Sequence, residues 1–201
     1  MQSLLQSWVK TATSALRVVC FVHIVHTYVY EFTETRGESM LPTLAARNDY
    51  VHALKTYRDG RGCKIGDCIV AAKPNDPNHR VCKRITGMPG DIILVDPSVG
   101  TNVFNSSSAM NTEATSDGDN DGYSEADEAF NSFIKVPQGH VWVTGDNLSH
   151  SLDSRTYNSL PMGLIKGKIV AANDFNEPFL GGSKGDFWGF RKIQNTYVNE
   201  Q

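Results

Sequence analysis

The sequence predicts a mainly β protein, an antiparallel β sandwich or barrel-like domain carried behind an N-terminal membrane-anchor helix. Short apolar and β-branched stretches recur from Asp49 onward, at 49–54, 67–73, 80–86, 91–96, 133–137, 140–145 and 167–173. Turn formers separate them, among them Asp59-Gly60, Gly66-Asp67, Pro89-Gly90-Asp91 and Gly145-Asp146-Asn147. Such residues tolerate the positive or fixed φ of a tight reversal. Helical periodicity is nearly absent over the same region, so strands at this spacing pair in antiparallel fashion. The remaining observation is an acid-free N-terminus that ends in an apolar run.

No Asp or Glu precedes Glu31, and Lys10 and Arg17 stand upstream of the apolar run at 18–30. A spanning helix needs roughly 20 apolar residues, and this run is shorter and contains His23 and His26. Neutral histidine is tolerable near an interface or against a partner helix, and Tyr28 and Tyr30 suit an aromatic belt. The expectation is a single span within residues 1–32. The alternative is an amphipathic helix lying on the membrane or on the domain. Positive charge upstream, against Glu31 and Glu34 downstream, puts the N-terminus in the positive-inside compartment and the bulk of the chain across the membrane. No A-x-A-like cleavage site follows, so the anchor is expected to stay attached.

The 201 residues, 40% hydrophobic, suffice for one good core plus an appendage. A single domain over 33–201 is the default. Residues 99–132 are polar and rich in Ser and Asn, and read as an acidic, disordered surface insertion between two strands. Seven of the 22 acids fall between 101 and 134, where there is no Lys or Arg. Without them 19 basic residues face 15 acidic ones, a surplus too mild to argue for a nucleic-acid partner. Phe187, Trp188 and Phe190, set among glycines after Asn173, predict a tail that packs on the domain.

The four cysteines are Cys20, Cys63, Cys68 and Cys82. A chain this long does not need disulfides for stability. Cys63 and Cys68 lack the second ligand pair of a structural zinc site, so buried or free thiols and no metal are expected.

Several motifs compete for function. Asp117, Asp119, Asp121, Gly122 and Glu128 match a calcium loop. The eighth loop position is Ser124 and the flanks are not amphipathic helices, so a solvated acidic loop is the plainer reading. Ser132 and Lys135 form an S-x-x-K that runs into a strand and Pro137 rather than along the helix this motif requires. His150, between Asp146 and Asp153, leaves open a Ser-His-Asp arrangement. A calcium-binding or scaffolding membrane protein also stays open.

Three further segments stand out. In the stretch 36–44, Gly37 relieves crowding before Ser39, and Pro42 restrains Leu41, so Ser39 sits in a stiff bend. In the strand at 81–86, alternation places Val81, Lys83 and Ile85 on one face and Cys82, Arg84 and Thr86 on the other. A lysine of ordinary pKa, about 10.4, is a poor base at neutral pH, and an apolar face lowers that pKa by disfavouring the charged form. The neighbouring Arg84 is expected to remain solvated. In the third segment, Gly145-Asp146-Asn147 and Ser151-Leu152-Asp153-Ser154-Arg155 supply groups for a buried polar network, or for an Asx turn with a surface ion pair.

Together and in this order, the segments 37–44 (GESMLPTL), 66–91 (GDCIVAAKPNDPNHRVCKRITGMPGD) and 136–163 (VPQGHVWVTGDNLSHSLDSRTYNSLPMG) resemble the type I signal peptidase family. The likeness covers nearly the whole chain apart from the insertion and the extreme ends. The endoplasmic-reticulum branch of the family carries histidine where this chain has Lys83, so the resemblance is to the mitochondrial or bacterial branch, and more closely to the mitochondrial.

The resemblance implies a signal-peptidase catalytic domain that needs no cofactor. Ser39 looks like the nucleophile and Lys83 like the general base. Ser151 looks like the hydroxyl that orients the lysine amine, Asp153 and Arg155 like an ion pair bracing that wall, and Met40 like packing that keeps water away. Bacterial relatives often place an oxyanion-donating serine where this chain has Gly37, so backbone amides such as that of Ser39 are expected to take that part. The resemblance further implies precursors with cleavable hydrophobic sorting signals as substrates, and a single-pass protein among the lipids of the mitochondrial inner membrane. Its domain would face the intermembrane space, with a second, related protease subunit in a heteromeric complex.

Overall fold

A computed structural model of the chain describes residues 2–95, 133–182, 185–195 and 197. The acidic insertion at 99–132, with its calcium-loop match and Ser132, lies outside the described residues.

Helix α1 (Gln2–Tyr28) begins well upstream of the apolar run. Nothing in 2–28 stops it, since no Gly or Pro occurs there. The hydroxyls of Thr11 and Thr13 are absorbed by the helix's own carbonyls, donating to Ser7 O at 3.1 Å and Lys10 O at 2.9 Å. The 23 residues of Gln6–Tyr28 are long and apolar enough to cross a membrane, spanning about 35 Å at 1.5 Å per residue. Trp8, Leu16, Phe21 and Ile24 are all exposed, so the helix does not pack on the domain.

Only Val29 separates α1 from strand β1 (Tyr30–Thr35), which pairs with β2 (Asp49–Leu54) from Tyr30 opposite Leu54 to Thr35 opposite Asp49. Tyr30, read from sequence as a belt residue, instead belongs to the sheet, where its hydroxyl meets His52 Nδ1. The other strands of the main sheet are β3 (Cys68–Lys73), β4 (Asp76–Gly87), β7 (His140–Thr144), β8 (Leu160–Pro161), β9 (Ile165–Asp174) and β12 (Arg191–Lys192). They run in the order β1-β2-β9-β3-β4-β7-β8, all antiparallel, with β12 beside the end of β9. Two small antiparallel sheets stand apart from it, β5 (Ile92–Leu94) with β6 (Phe133–Lys135) and β10 (Leu180–Gly182) with β11 (Gly185–Phe187).

The sheet stays open rather than closing into a barrel, and it carries a core on each face. In β3, Cys68 and Val70 join Met40, Leu44, Val51 and Ile169, whereas Ile69 and Ala71 join Ile85, Val143, Leu160 and Ile165 on the other side. That double burial explains why β3 reads as a continuous apolar run instead of an alternating one. All four cysteines are free, Cys63 and Cys68 being buried. The tail folds back on the sheet: Asp174 N donates to Trp188 O at 2.9 Å, and the Phe175 and Trp188 rings lie 5.1 Å apart.

Candidate active site

The bend around Ser39 is clamped at several points. Gly37, at φ 117°, donates its N–H to Ala46 O at 2.9 Å. That φ lies in the region glycine alone enters freely, so a side chain at 37 would strain the approach to Ser39. Met40 and Leu44, each 2% exposed, plug the bend into the core. Asp49, at the start of β2, accepts from Ala45 N at 2.5 Å and from Arg191, whose other N–H reaches Thr43 O at 3.2 Å. From the far side Asn147 holds the bend, its N–H on Ser39 O at 3.1 Å and its side-chain amide on Glu38 O at 3.2 Å.

Lys83 sits in the middle of β4, opposite Ile69 of β3. It takes the face the alternation assigned it, with Val81 and Ile85. It is 4% exposed, and its amine donates to Ser151 Oγ at 3.1 Å. Burial pulls the amine below the ordinary lysine range, against the opposing pull of Asp153. Ser39, Met40, Leu44, Val70, Cys82 and Lys83 line one cavity of about 170 Å3, walled also by the end of β1 and the residues after it. Strand β7 pairs with β4 only from Arg84 to Gly87. Before Arg84, that edge of β4 has no strand partner among the described residues.

Arg84 is not solvated, contrary to the sequence expectation. It is 4% exposed, and its guanidinium makes a paired contact with Asp146, Nε to Oδ1 at 2.8 Å and Nη2 to Oδ2 at 2.7 Å, while Nη1 reaches Gly66 O at 2.7 Å. Thr144 lies opposite Arg84 across β4 and β7, which brings the turn that follows, and with it Asp146, onto the arginine. Thr43 also donates to Asp146, so this pair ties the Ser39 bend to the lysine strand.

The third segment supplies the wall. Asp153, fully buried, caps the short helix α2 (Ser154–Tyr157) through Arg155 N. It accepts two bonds from the Arg155 guanidinium, at 2.9 and 3.0 Å, and one from Gly145 N at 3.0 Å. Burial works against its charge, but the hydrogen bonds from Arg155, Ser151 and Gly145 prevail and hold its carboxyl below the usual range. The network reading of these residues therefore holds over the surface ion pair.

His150 is exposed, its Nδ1 meets Ser149 Oγ at 2.9 Å, and it lines a different cavity from Lys83. Asp146 and Asp153 are both engaged by arginines. Phe133–Lys135 is strand, not the helix an S-x-x-K pair needs. Sequence reasoning missed the close approach at Gly145. A Cβ there would meet the Ser39 carbonyl and the Ser151 hydroxyl within 3 Å, and only its place in a turn between two candidate segments could have hinted at it.

The signal peptidase (peptidase S26) family model matches residues 5–173. The chain belongs to that family, and it is a serine peptidase. Its relatives include mitochondrial inner membrane protease subunit 1 of Saccharomyces cerevisiae, 61% identical over 194 residues, which are 96% of this chain and 94% of that one. The Homo sapiens protein of the same name is 36% identical over 150 residues, 75% of this chain and 73% of that one. Mitochondrial inner membrane protease subunit 2 of Schizosaccharomyces pombe is 25% identical over 170 residues, 84% of this chain and 76% of that one.

Proposed function

We propose that the chain is an endopeptidase anchored in the mitochondrial inner membrane by α1, its domain in the intermembrane space, where it removes hydrophobic sorting peptides from precursor proteins by a Ser39-Lys83 dyad. The observation that carries this reading is a buried lysine amine, lowered in pKa and steered by Ser151, on the wall of the cavity that Ser39 also lines.

In this scheme a substrate strand adds to the unpaired edge of β4, where free N–H and C=O groups offer a ladder. The Ser39 hydroxyl attacks the scissile carbonyl as neutral Lys83 takes its proton. The carbonyl oxygen becomes an oxyanion. None of the hydrogen bonds among the described residues uses the Ser39 N–H, which fits that amide as a donor. Collapse of the intermediate breaks the C–N bond, and Lys83 returns the proton to the leaving amine. Lys83 then takes a proton from water, the hydroxide attacks the acyl ester, and Ser39 leaves as the alkoxide and is reprotonated. Met40 and Leu44, packed beneath the bend, keep the amine dry.

Relatives named as subunits 1 and 2 of one protease support a heteromeric complex with a second related subunit. His23 and His26 on α1 suit contacts between helices. The test is mass spectrometry of precursors that accumulate when Ser39→Ala replaces the chain in mitochondria. Uncut sorting peptides on intermembrane-space proteins support the reading, and normal processing refutes it.

A further inference from the structure

The junction between α1 and the domain is cross-braced by hydrogen bonds and ion pairs, and the groups that brace it reach the walls of the cleft. Lys55, just past β2, donates its ammonium to His26 O at 2.9 Å and Thr27 O at 3.3 Å, capping the last turn of α1 where the carbonyls have no helical partner. Its backbone N–H donates to Val29 O at 2.8 Å, closing the single-residue connection. The same ammonium pairs with Glu31 Oε2 at 3.0 Å, and the other oxygen of Glu31 accepts from Arg80. Glu31 is on β1, whose end borders the cavity of Ser39, and Arg80 is on β4 and lines it. The Glu31 side chain is 14% exposed and that of Lys55 19%, so this is not a pair of charges waving in solvent.

The geometry points to Lys55 and Glu31 as positioning residues that fix the height and tilt of the cleft over the bilayer, and so choose which peptide bond of a membrane-embedded precursor reaches Ser39. This rests on α1 as a membrane span. Neither side chain touches the reacting atoms. Their effect runs through both walls of the cleft: β1 is joined to the helix by Val29 alone, and β4 is held to the helix end through Arg80, Glu31 and Lys55. One residue of extended peptide is about 3.3 Å long, so a change of seat by a few ångströms moves the cut by one bond. Misplacement by only about 1 Å is already worth on the order of a hundredfold in rate.

The test compares two substrates on the full-length chain in liposomes, together with any subunit that co-purifies. One is a short soluble peptide containing the cleavage site, and the other is a precursor whose apolar segment is embedded in the same liposomes. Lys55→Met keeps the aliphatic stem and loses the charge, and a Gly-Ser insertion after Val29 loosens the junction with Lys55 intact. The expected result for both is peptide cleavage unchanged in rate and site, with precursor cleavage slowed on the order of tenfold or more, or shifted to a neighbouring bond by mass spectrometry. Equal losses on both substrates, or no change on either, overturn the inference. Ser39→Ala is run in parallel: if it still cleaves either substrate, the dyad is what fails, and the junction is judged on the two variants alone.

Discussion

Gly145 lies so close to the Ser39 bend that a Cβ built on it would stand 2.4 Å from the Ser39 carbonyl oxygen and 2.3 Å from the Ser151 hydroxyl. One glycine thus lets the segment bearing the serine and the segment that steers the lysine share a wall. Gly145→Ala has to push them apart. We predict that it abolishes cleavage while costing the fold about 1–3 kcal/mol, the usual range for overpacking. Activity and denaturant melts on the same preparation check this, and a fully active Gly145→Ala would show that the approach is slack.

Ser151 is the hydrogen-bond partner of the Lys83 amine. Ser151→Ala leaves the amine buried but free to rotate. Turnover should drop on the order of a hundredfold, at the low end for a disturbed general base, with KM unchanged and partial rescue by Ser151→Thr. A rise in KM at constant kcat would assign Ser151 to substrate binding instead.

Burial lowers the Lys83 pKa in the folded chain, and the sign of its effect on stability follows. Below the folded pKa both states hold the proton, and the folded state bears the full cost of a buried charge. Between the folded pKa and the unfolded value near 10.4, only the unfolded chain keeps the proton, so stability rises with pH. Lys83→Met should therefore gain most over the wild type at the lower end of the pH range, and the gap in Tm should shrink as pH rises through the window. A gap independent of pH would mean that the amine is not desolvated.

The Arg84 and Asp146 side chains are 5% and 15% exposed and directly paired. Asp146→Ala strands the guanidinium, and we expect a loss of about 3–5 kcal/mol. The double variant Arg84→Met with Asp146→Leu should recover a large part of it. Urea titrations of both variants measure the difference, and equal losses would show that the pair is not coupled.

Much of the strand layout was legible because Gly, Asp and Pro turns punctuate apolar stretches, and the alternation of 81, 83 and 85 placed Lys83 on its face correctly. Strand β1 was hidden, since its charged residues Glu31 and Glu34 look like the flank of an anchor and its pairing with β2 is not local. The apolar run at 18–30 pointed to an anchor within 1–32, and the helix extends back to Gln2 because nothing in 2–17 breaks it. The burial of Arg84 was illegible for a different reason: its partner, Asp146, is 62 residues away and meets it through the register of β4 with β7. The brace at Lys55 depends on three elements converging at the foot of α1, which no linear spacing reveals.

Cleavage of one precursor peptide by the purified full-length chain, compared among wild type, Lys83→Met, Lys83→Arg and His150→Ala, tests the central claim most directly. A buried, unprotonated amine as the base predicts that both lysine variants lose activity by about 10²–10⁴-fold, since methionine has no amine and arginine does not give up its proton, while His150→Ala keeps the wild-type rate. Retained cleavage in Lys83→Met, or its loss in His150→Ala, would contradict it.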